Sequence, residues 1–274
     1  MNRGPFWGAV LAAALSAVVV AAPAASAAGT PGPDYSHADQ DYAGSQIALR
    51  EGMRAGTPDA RSDLAAGQTL GHDVSAHQGL VNWPQAAGSG ARFTYVKATE
   101  GTGYLNPQFP RQYDGAHTSG LIRGAYHFAR PDVSSGADQA AYFLDHGGQW
   151  RRDGTTLPGA LDIEYNPYGD SCYGKSPADM VAWITDFTRT YLARAHRSAL
   201  IYTSTSWWKL CTGNSAAFGD TDPLWLARYA PAVGELPAGW EKQSIWQFAN
   251  SGGLPGDQNY YNGPFSRVQA LARS

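Results

Sequence analysis

The sequence predicts an α/β fold, an irregular barrel of mostly parallel strands, and three observations point to it. From Leu70 onward, short β-type runs alternate with helical or loop segments, the order that builds a parallel sheet. About eight such runs follow one another in a chain of 274 residues, a size that suits one barrel of about 250 residues. The connections near Tyr229–Ser244 and Ala249–Gln258 are short or rich in Gly and Pro. Full helices do not fit there, so the barrel should be irregular, with few late helices.

The chain opens on a different signal. Arg3 is the only charge before an apolar run from Phe6 to Ala22, and Ala25-Ser26-Ala27 follows. A lone positive charge, an apolar stretch and a small-residue site describe an export signal over 1–27, cut near Ala27–Ala28. The run is short for a bilayer span of about 20 residues, and no stop-transfer charges follow it. Residues 28–69 hold Pro31-Gly32-Pro33, Gly44, Gly52, Gly56 and Thr57-Pro58. They read as a linker, a pro-segment or a partly helical arm, with Ile47 to Arg54 able to form one or two turns. Residues 70–274 are the expected catalytic barrel.

Within that barrel the strand candidates are Leu70–Val74, Phe93–Ala98, Ile122–Phe128, Gly159–Glu164, Ala199–Ser204, Leu224–Tyr229 and Ser244–Phe248. Gln258–Tyr261 is a further one. Helices are clearest at Pro107–Ser119, Gly136–His146 and Pro177–His196. Ser176 before Pro177 is an N-cap followed by Pro at the first helical position. Trp183, Phe187, Thr190 and Tyr191 then recur at helical spacing, a stripe that suits core packing. Together these features describe a modified, irregular TIM-like β/α barrel.

Composition narrows the function. The formal net charge is −3, which leaves no electrostatic footprint for nucleic acid. No stretch after the export segment is apolar enough to span a bilayer, so the mature protein should be soluble with no membrane partner after cleavage; a monomer is expected. Cys172 and Cys211 are the two cysteines; in an oxidising compartment they read as a disulfide, worth about 4 kcal/mol by chain entropy. Two free thiols are the alternative, because disulfide geometry is demanding. Aromatics make up 12% of residues and charged residues only 16%. Flat apolar faces with polar edges suit sugars, although many of these rings belong to the core.

In parallel barrels the site lies where strands end at their carboxyl side. Asp162-Ile163-Glu164 is the sharpest local signal there. Residues i and i+2 of a strand share a face, so both carboxylates would project into one cavity. Two nearby carboxylates do not both ionise easily, and a carboxyl of raised pKa is what a glycosidase needs to protonate a leaving oxygen. No His or Cys ligand spacing is present, so neither a metal nor another cofactor is expected.

Four ordered motifs carry a resemblance. They are His72-Asp73-Val74-Ser75-Ala76-His77-Gln78-Gly79, Phe93-Thr94-Tyr95-Val96-Lys97-Ala98-Thr99-Glu100-Gly101, Gly124-Ala125-Tyr126-His127-Phe128 and Leu161-Asp162-Ile163-Glu164. From Leu70 to the C-terminus the chain resembles glycoside hydrolase family 25, the muramidases often called Chalaropsis-type lysozymes. The resemblance implies a modified β/α barrel that hydrolyses the β-1,4 bond after N-acetylmuramic acid, with bacterial peptidoglycan as partner and no metal. It maps an acid onto Glu164, a second essential carboxylate onto Asp162, and acidic pocket residues onto Asp73 and Asp257. Asp257, after Pro255-Gly256, is alternatively a turn residue.

Other residues carry two readings each. Tyr126 follows a Gly-Ala pair and would line the cavity, as would Tyr202. His127 would then face away and pack. Glu100 either hydrogen-bonds a sugar or pairs with Lys97, although a regular strand end would not align those two well. Trp225 and Trp246 are either sugar platforms or barrel packing. Two rival functions remain at this level, a non-catalytic wall-glycan binder and a metal-dependent polysaccharide deacetylase. The intact Asp73, Asp162 and Glu164 argue against the first, and the absence of paired His ligands argues against the second.

Overall fold

The computed structural model describes residues 1, 2, 4, 32–52 and 67–274. The chain divides into Met1–Gly32 and Pro33–Ser274, and all the elements below belong to the second unit. The export signal expected at 1–27 falls almost wholly outside the described residues.

Among the described residues, nine strands form one sheet: β1 (Thr69–Val74), β2 (Phe93–Glu100), β3 (Tyr104–Leu105), β4 (Ile122–Phe128), β5 (Ala160–Asp162), β6 (Leu200–Thr203), β7 (Leu224–Ala227), β8 (Ile245–Ala249) and β9 (Asp257–Tyr261). The order is β1-β9-β8-β7-β6-β5-β4-β2-β3, and pairing of β1 with β2 closes the barrel, with β3 attached to β2 as a short flap. The ladders from β1 through β2, β4, β5, β6, β7 and β8 are parallel. β9 is antiparallel to both of its neighbours. The reason is length: a parallel return needs a crossover of a dozen residues or more, and only residues 250–256 separate β8 from β9.

Helices accompany the sheet. They are α1 (Ser45–Glu51), α2 (Trp83–Gly88), α3 (Phe109–Thr118), α4 (Gly136–Phe143), α5 (Pro177–Ala195), α6 (Thr205–Thr212) and α7 (Phe265–Leu271). α2, α6 and α7 were not among the expected helices; each is eight residues or shorter, too short for a clear period. α5 starts as its sequence implies. The Ser176 hydroxyl accepts from the Asp179 N–H at 3.2 Å, with Pro177 at the first turn. Its buried face is Met180, Trp183, Ile184, Phe187 and Tyr191. α4 lies against it at Gly136, where an added Cβ would overlap the Trp183 carbonyl and sit 2.6 Å from the Phe187 nitrogen. Helices meeting backbone to backbone tolerate no side chain at that point.

Cys172 and Cys211 are bonded, with Cα atoms 5.3 Å apart. The bridge ties the loop after β5 to α6, and so anchors the chain that leaves the barrel rim at Glu164.

Candidate active site

The inward positions of the strand ends carry the site. Asp73 lies near the end of β1 and pairs in register with Asp257, the first residue of β9, so both acids sit on the same barrel face. Asp257 is therefore a barrel residue rather than a free turn. Asp162 ends β5. Beyond it the chain keeps its extended course, because the Ala129 N–H donates to the Asp162 carbonyl and the Ile163 N–H to the Tyr202 carbonyl, at 2.8 and 3.0 Å. Side-chain alternation consequently continues past the strand. Ile163 packs in the core while Asp162 and Glu164, both buried, share the inner side.

Polar side chains of the barrel hold two of these acids. Asp73 Oδ2 accepts from Gln247 Nε2 at 2.9 Å and Asn259 Nδ2 at 2.7 Å. The Tyr202 and Tyr229 hydroxyls both donate to Gln247 Oε1, at 2.7 and 2.8 Å, and the Tyr229 hydroxyl lies 3.4 Å from Asp257 Oδ2. Asp162 differs: among the described residues, neither of its carboxylate oxygens has a hydrogen-bond partner. Gln247, Tyr229 and Asn259 did not figure as site residues in the sequence, since nothing local separates them from other strand polar groups.

The Lys97–Glu100 pair corrects one expectation. On a regular strand, residues three apart face opposite ways. Here the β2–β4 register shifts between Lys97 and Thr99. A bulge inserts one extra residue and restores the pair to one side. Lys97 Nζ then meets Glu100 Oε2 at 2.7 Å, and Arg130 Nη1 lies 3.5 Å from Glu100 Oε1, all three groups being buried. Glu100 is thus an ion-pair member at the cleft wall.

The aromatic positions divide. Tyr126 and Tyr202 point inward at the acid layer. Trp225 lies among Tyr95, Tyr126 and Tyr202, with ring centroids 4.8, 6.4 and 4.9 Å away, and its Nε1 donates to Asn259 Oδ1 at 2.8 Å. It closes the barrel floor. Trp246 packs outside with Phe248 and Tyr260 and donates to the Arg228 carbonyl. His127 faces outward, between the Thr99 hydroxyl at 2.7 Å and Gln139 Oε1 at 2.9 Å. No group of three or more His, Cys, Asp or Glu side chains suited to a metal occurs among the described residues.

The described part of the arm in the second unit, residues 33–52, enters this site. The carboxylate of Glu164 accepts from three arm amides: Gly44 N–H to Oε1 at 2.6 Å, and Gln46 and Ile47 N–H to Oε2 at 3.1 and 3.0 Å. Helix α1 has no side-chain cap of its own, so Glu164 satisfies amides that its first turn leaves open. Beside it the Ala43 N–H donates to the Tyr126 hydroxyl at 3.3 Å, and Gln247 Nε2 donates to the Ala43 carbonyl at 3.0 Å. A cavity of about 600 Å³ stays open next to α1, between Arg50, Tyr165, Lys209 and Glu235.

Burial dominates the electrostatics. It pushes Glu164 up to about 8, although the three arm amides favour its charged form. It pushes Asp73 up to about 7 against the donors from Gln247 and Asn259. Asp162 is held well above the ordinary carboxylate range by burial and then by the charge of Glu164, with Lys97 acting the other way. Asp257 is raised by burial and by Asp73. A low dielectric penalises each charge and the acids penalise one another, so the environment of the rim favours the protonated form of these acids.

Comparison with known proteins agrees with this arrangement. The profile described as Glycosyl hydrolases family 25 matches residues 72–257. The chain is 41% identical over 278 residues to a protein named Lysozyme M1 from Streptomyces globisporus, covering 99% of this chain and 93% of that one. It is 49% identical to an N,O-diacetylmuramidase from Chalaropsis sp, over 74% of this chain and 98% of the relative. The solved muramidase from Acremonium alcalophilum superposes with a TM-score of 0.74 at 52% identity, covering 75% of this chain and 99% of that one. A profile match over most of the chain, near full-length relatives above 40% identity, and a rim of buried carboxylates on a closed barrel leave one assignment: the chain is a glycoside hydrolase and belongs to glycosyl hydrolases family 25.

Proposed function

We propose that this chain is an exported muramidase that hydrolyses the β-1,4 bond between N-acetylmuramic acid and N-acetylglucosamine in bacterial peptidoglycan. The observation that carries the reading is the pairing of Asp162 and Glu164 on one inner face, both buried and both held toward the protonated form. Glu164 is the general acid: it protonates the leaving oxygen and afterwards draws a proton from the attacking water. Asp73, Asp257, Tyr126 and Tyr202 line the substrate cleft. Glu100, locked by Lys97 and Arg130, shapes its wall, and Trp225 supports its floor.

Asp162 stands beside Glu164, not opposite it, because both rise from one strand. A back-side nucleophile must come from the other face of the sugar. The 2-acetamido group of the substrate supplies one, since its carbonyl oxygen can attack the anomeric carbon. Asp162 then orients that group by accepting its N–H. Its two unpartnered oxygens support this role, for a buried acceptor without a donor is costly until a ligand provides one. The expected outcome is net retention at the anomeric carbon.

The test is mass spectrometry of purified peptidoglycan digested by the chain once the arm is removed. Muropeptides with muramic acid at the reducing end are expected. Glucosamine at the reducing end, or a folded protein that leaves walls intact, overturns the assignment. The latter result would favour the wall-binding alternative.

A further inference from the structure

The contacts of the arm go well beyond Glu164. Lys97 Nζ donates to the Ala38 carbonyl at 3.0 Å and to that of Asp41. Arg130 Nη1 donates to the Asp34 carbonyl at 2.8 Å, and its guanidinium lies over the Tyr35 ring. Further along, Glu51 accepts from the Tyr165 and Ser204 hydroxyls. Ala43 and Ile47 are 0% and 1% exposed, so this stretch is packed like core. Meanwhile the family profile begins at residue 72, so the arm lies outside the matched profile.

Gly44 shows how closely the fit is made. Its φ is +97°, and an added Cβ would overlap the Tyr229 hydroxyl and lie 2.8 Å from Gln247 Oε1 and 2.9 Å from Tyr202 Oη. Glycine therefore serves two needs at one position, a left-handed backbone and close approach of main chain to the cleft floor.

From these contacts we infer that residues 34–52 form a built-in inhibitor that occupies the sugar-binding cleft and sequesters the carboxylate of Glu164. The inference rests on the reading of the Asp162–Glu164 rim as the catalytic site. With the arm seated, Glu164 cannot approach a glycosidic oxygen, because Gly44, Gln46 and Ile47 occupy both of its oxygens. Tyr126, Gln247, Lys97 and Arg130 are engaged by arm backbone at the same time. A tethered segment competes at an effective concentration of order millimolar, so a polymeric wall substrate displaces it poorly. Cutting the chain between Gly52 and Thr69 would turn the tethered inhibitor into a free peptide and unmask the enzyme.

The test compares the full chain, its arm verified by intact mass, with the same chain carrying Gly44→Leu. That substitution lies in the arm and forces it off the Tyr202–Tyr229–Gln247 floor without altering the barrel. Wall-clearing kcat/KM should rise by about 10-fold or more, as expected when a tethered inhibitor is displaced. The Gln46 and Ile47 amides should exchange slowly in the wild type, where Glu164 holds them, and quickly in the variant. A synthetic peptide spanning residues 34–52, added to the variant, should restore inhibition, and the same peptide with Gly44→Leu should not. Equal rates for the two chains, together with no inhibition by the peptide, overturn the inference. A folded barrel that stays inactive after cleavage between Gly52 and Thr69 and removal of the freed arm would overturn the muramidase reading instead.

Discussion

The backbone N–H of Gly44 donates to Oε1 of Glu164 at 2.6 Å, across 120 residues of sequence. The residue best placed to act as proton donor is thus held by main chain from outside the barrel. Both Glu164 oxygens face N–H donors, which favours a carboxylate acceptor there, while the surrounding burial favours the proton. Four expected outcomes follow from this site and its scaffold.

Glu164→Gln, made in the arm-released enzyme, should lower kcat on peptidoglycan by about 10²–10⁴, the usual worth of a general acid–base step. The fold should persist, and wall fragments should still bind. In the full chain the same change turns an amide NH₂ toward the Gly44, Gln46 and Ile47 donors, so amide exchange in α1 should quicken. Near-normal kcat in a folded Gln variant removes Glu164 from the acid role.

Stereochemistry tests Asp162. Proton NMR of the first product should show the retained anomer, and walls with de-N-acetylated muramic acid should bind yet resist cleavage. Asp162→Asn should lower kcat far more than it raises KM, because the amide cannot stabilise positive charge developing on the acetamide. Rapid cleavage of the de-N-acetylated glycan would transfer the nucleophile role to Asp73 or Asp257, which face the site from other strands.

The buried histidines should set an acid limit to stability. Burial lowers His127 to about 3 and His72 to about 4, below the usual 6.5. As pH falls through 6.5 the unfolded chain takes up a proton at each, while the folded chain does not until its lower value is reached. Stability should therefore fall by about 1.4 kcal/mol per pH unit per histidine in that window. The raised acids contribute with the opposite sign, so the comparison must be differential. In urea unfolding between pH 6 and 4.5, His127→Gln should be more stable at the acid end relative to wild type, the difference between the two growing by about 1.4 kcal/mol per pH unit as pH falls. An unchanged slope would mean His127 titrates normally.

Loss of the disulfide should weaken the scaffold and leave the chemistry intact. The bridge closes a separation of 39 residues, for which chain entropy gives about 4 kcal/mol. A double Cys172→Ala, Cys211→Ala variant should unfold at lower denaturant concentration, by about 2–4 kcal/mol. Its kcat at low temperature should be unchanged. A large loss of kcat in the folded variant would show that the bridge positions Glu164 through the loop that follows it.

The sequence by itself determined much of this protein. Strand runs such as Ile122–Phe128, the cap and stripe of α5 and the Asp162-Ile163-Glu164 triplet are local patterns. Their periods of two and of about 3.6 residues state which side chains share a face before any tertiary contact forms. Only the tertiary structure decided the rest. A bulge in β2 aligns Lys97 with Glu100, and nothing in Lys97-Ala98-Thr99-Glu100 announces the extra residue, because the bulge arises from pairing with β4. The direction of β9 follows from the span its connection must cover. Burial of Trp225 depends on Tyr95, Tyr126 and Tyr202 from three other strands. The arm is the clearest case: Gly44 reads as linker glycine, and its role exists only because Tyr202, Tyr229, Gln247 and Glu164 converge on it from distant points of the chain.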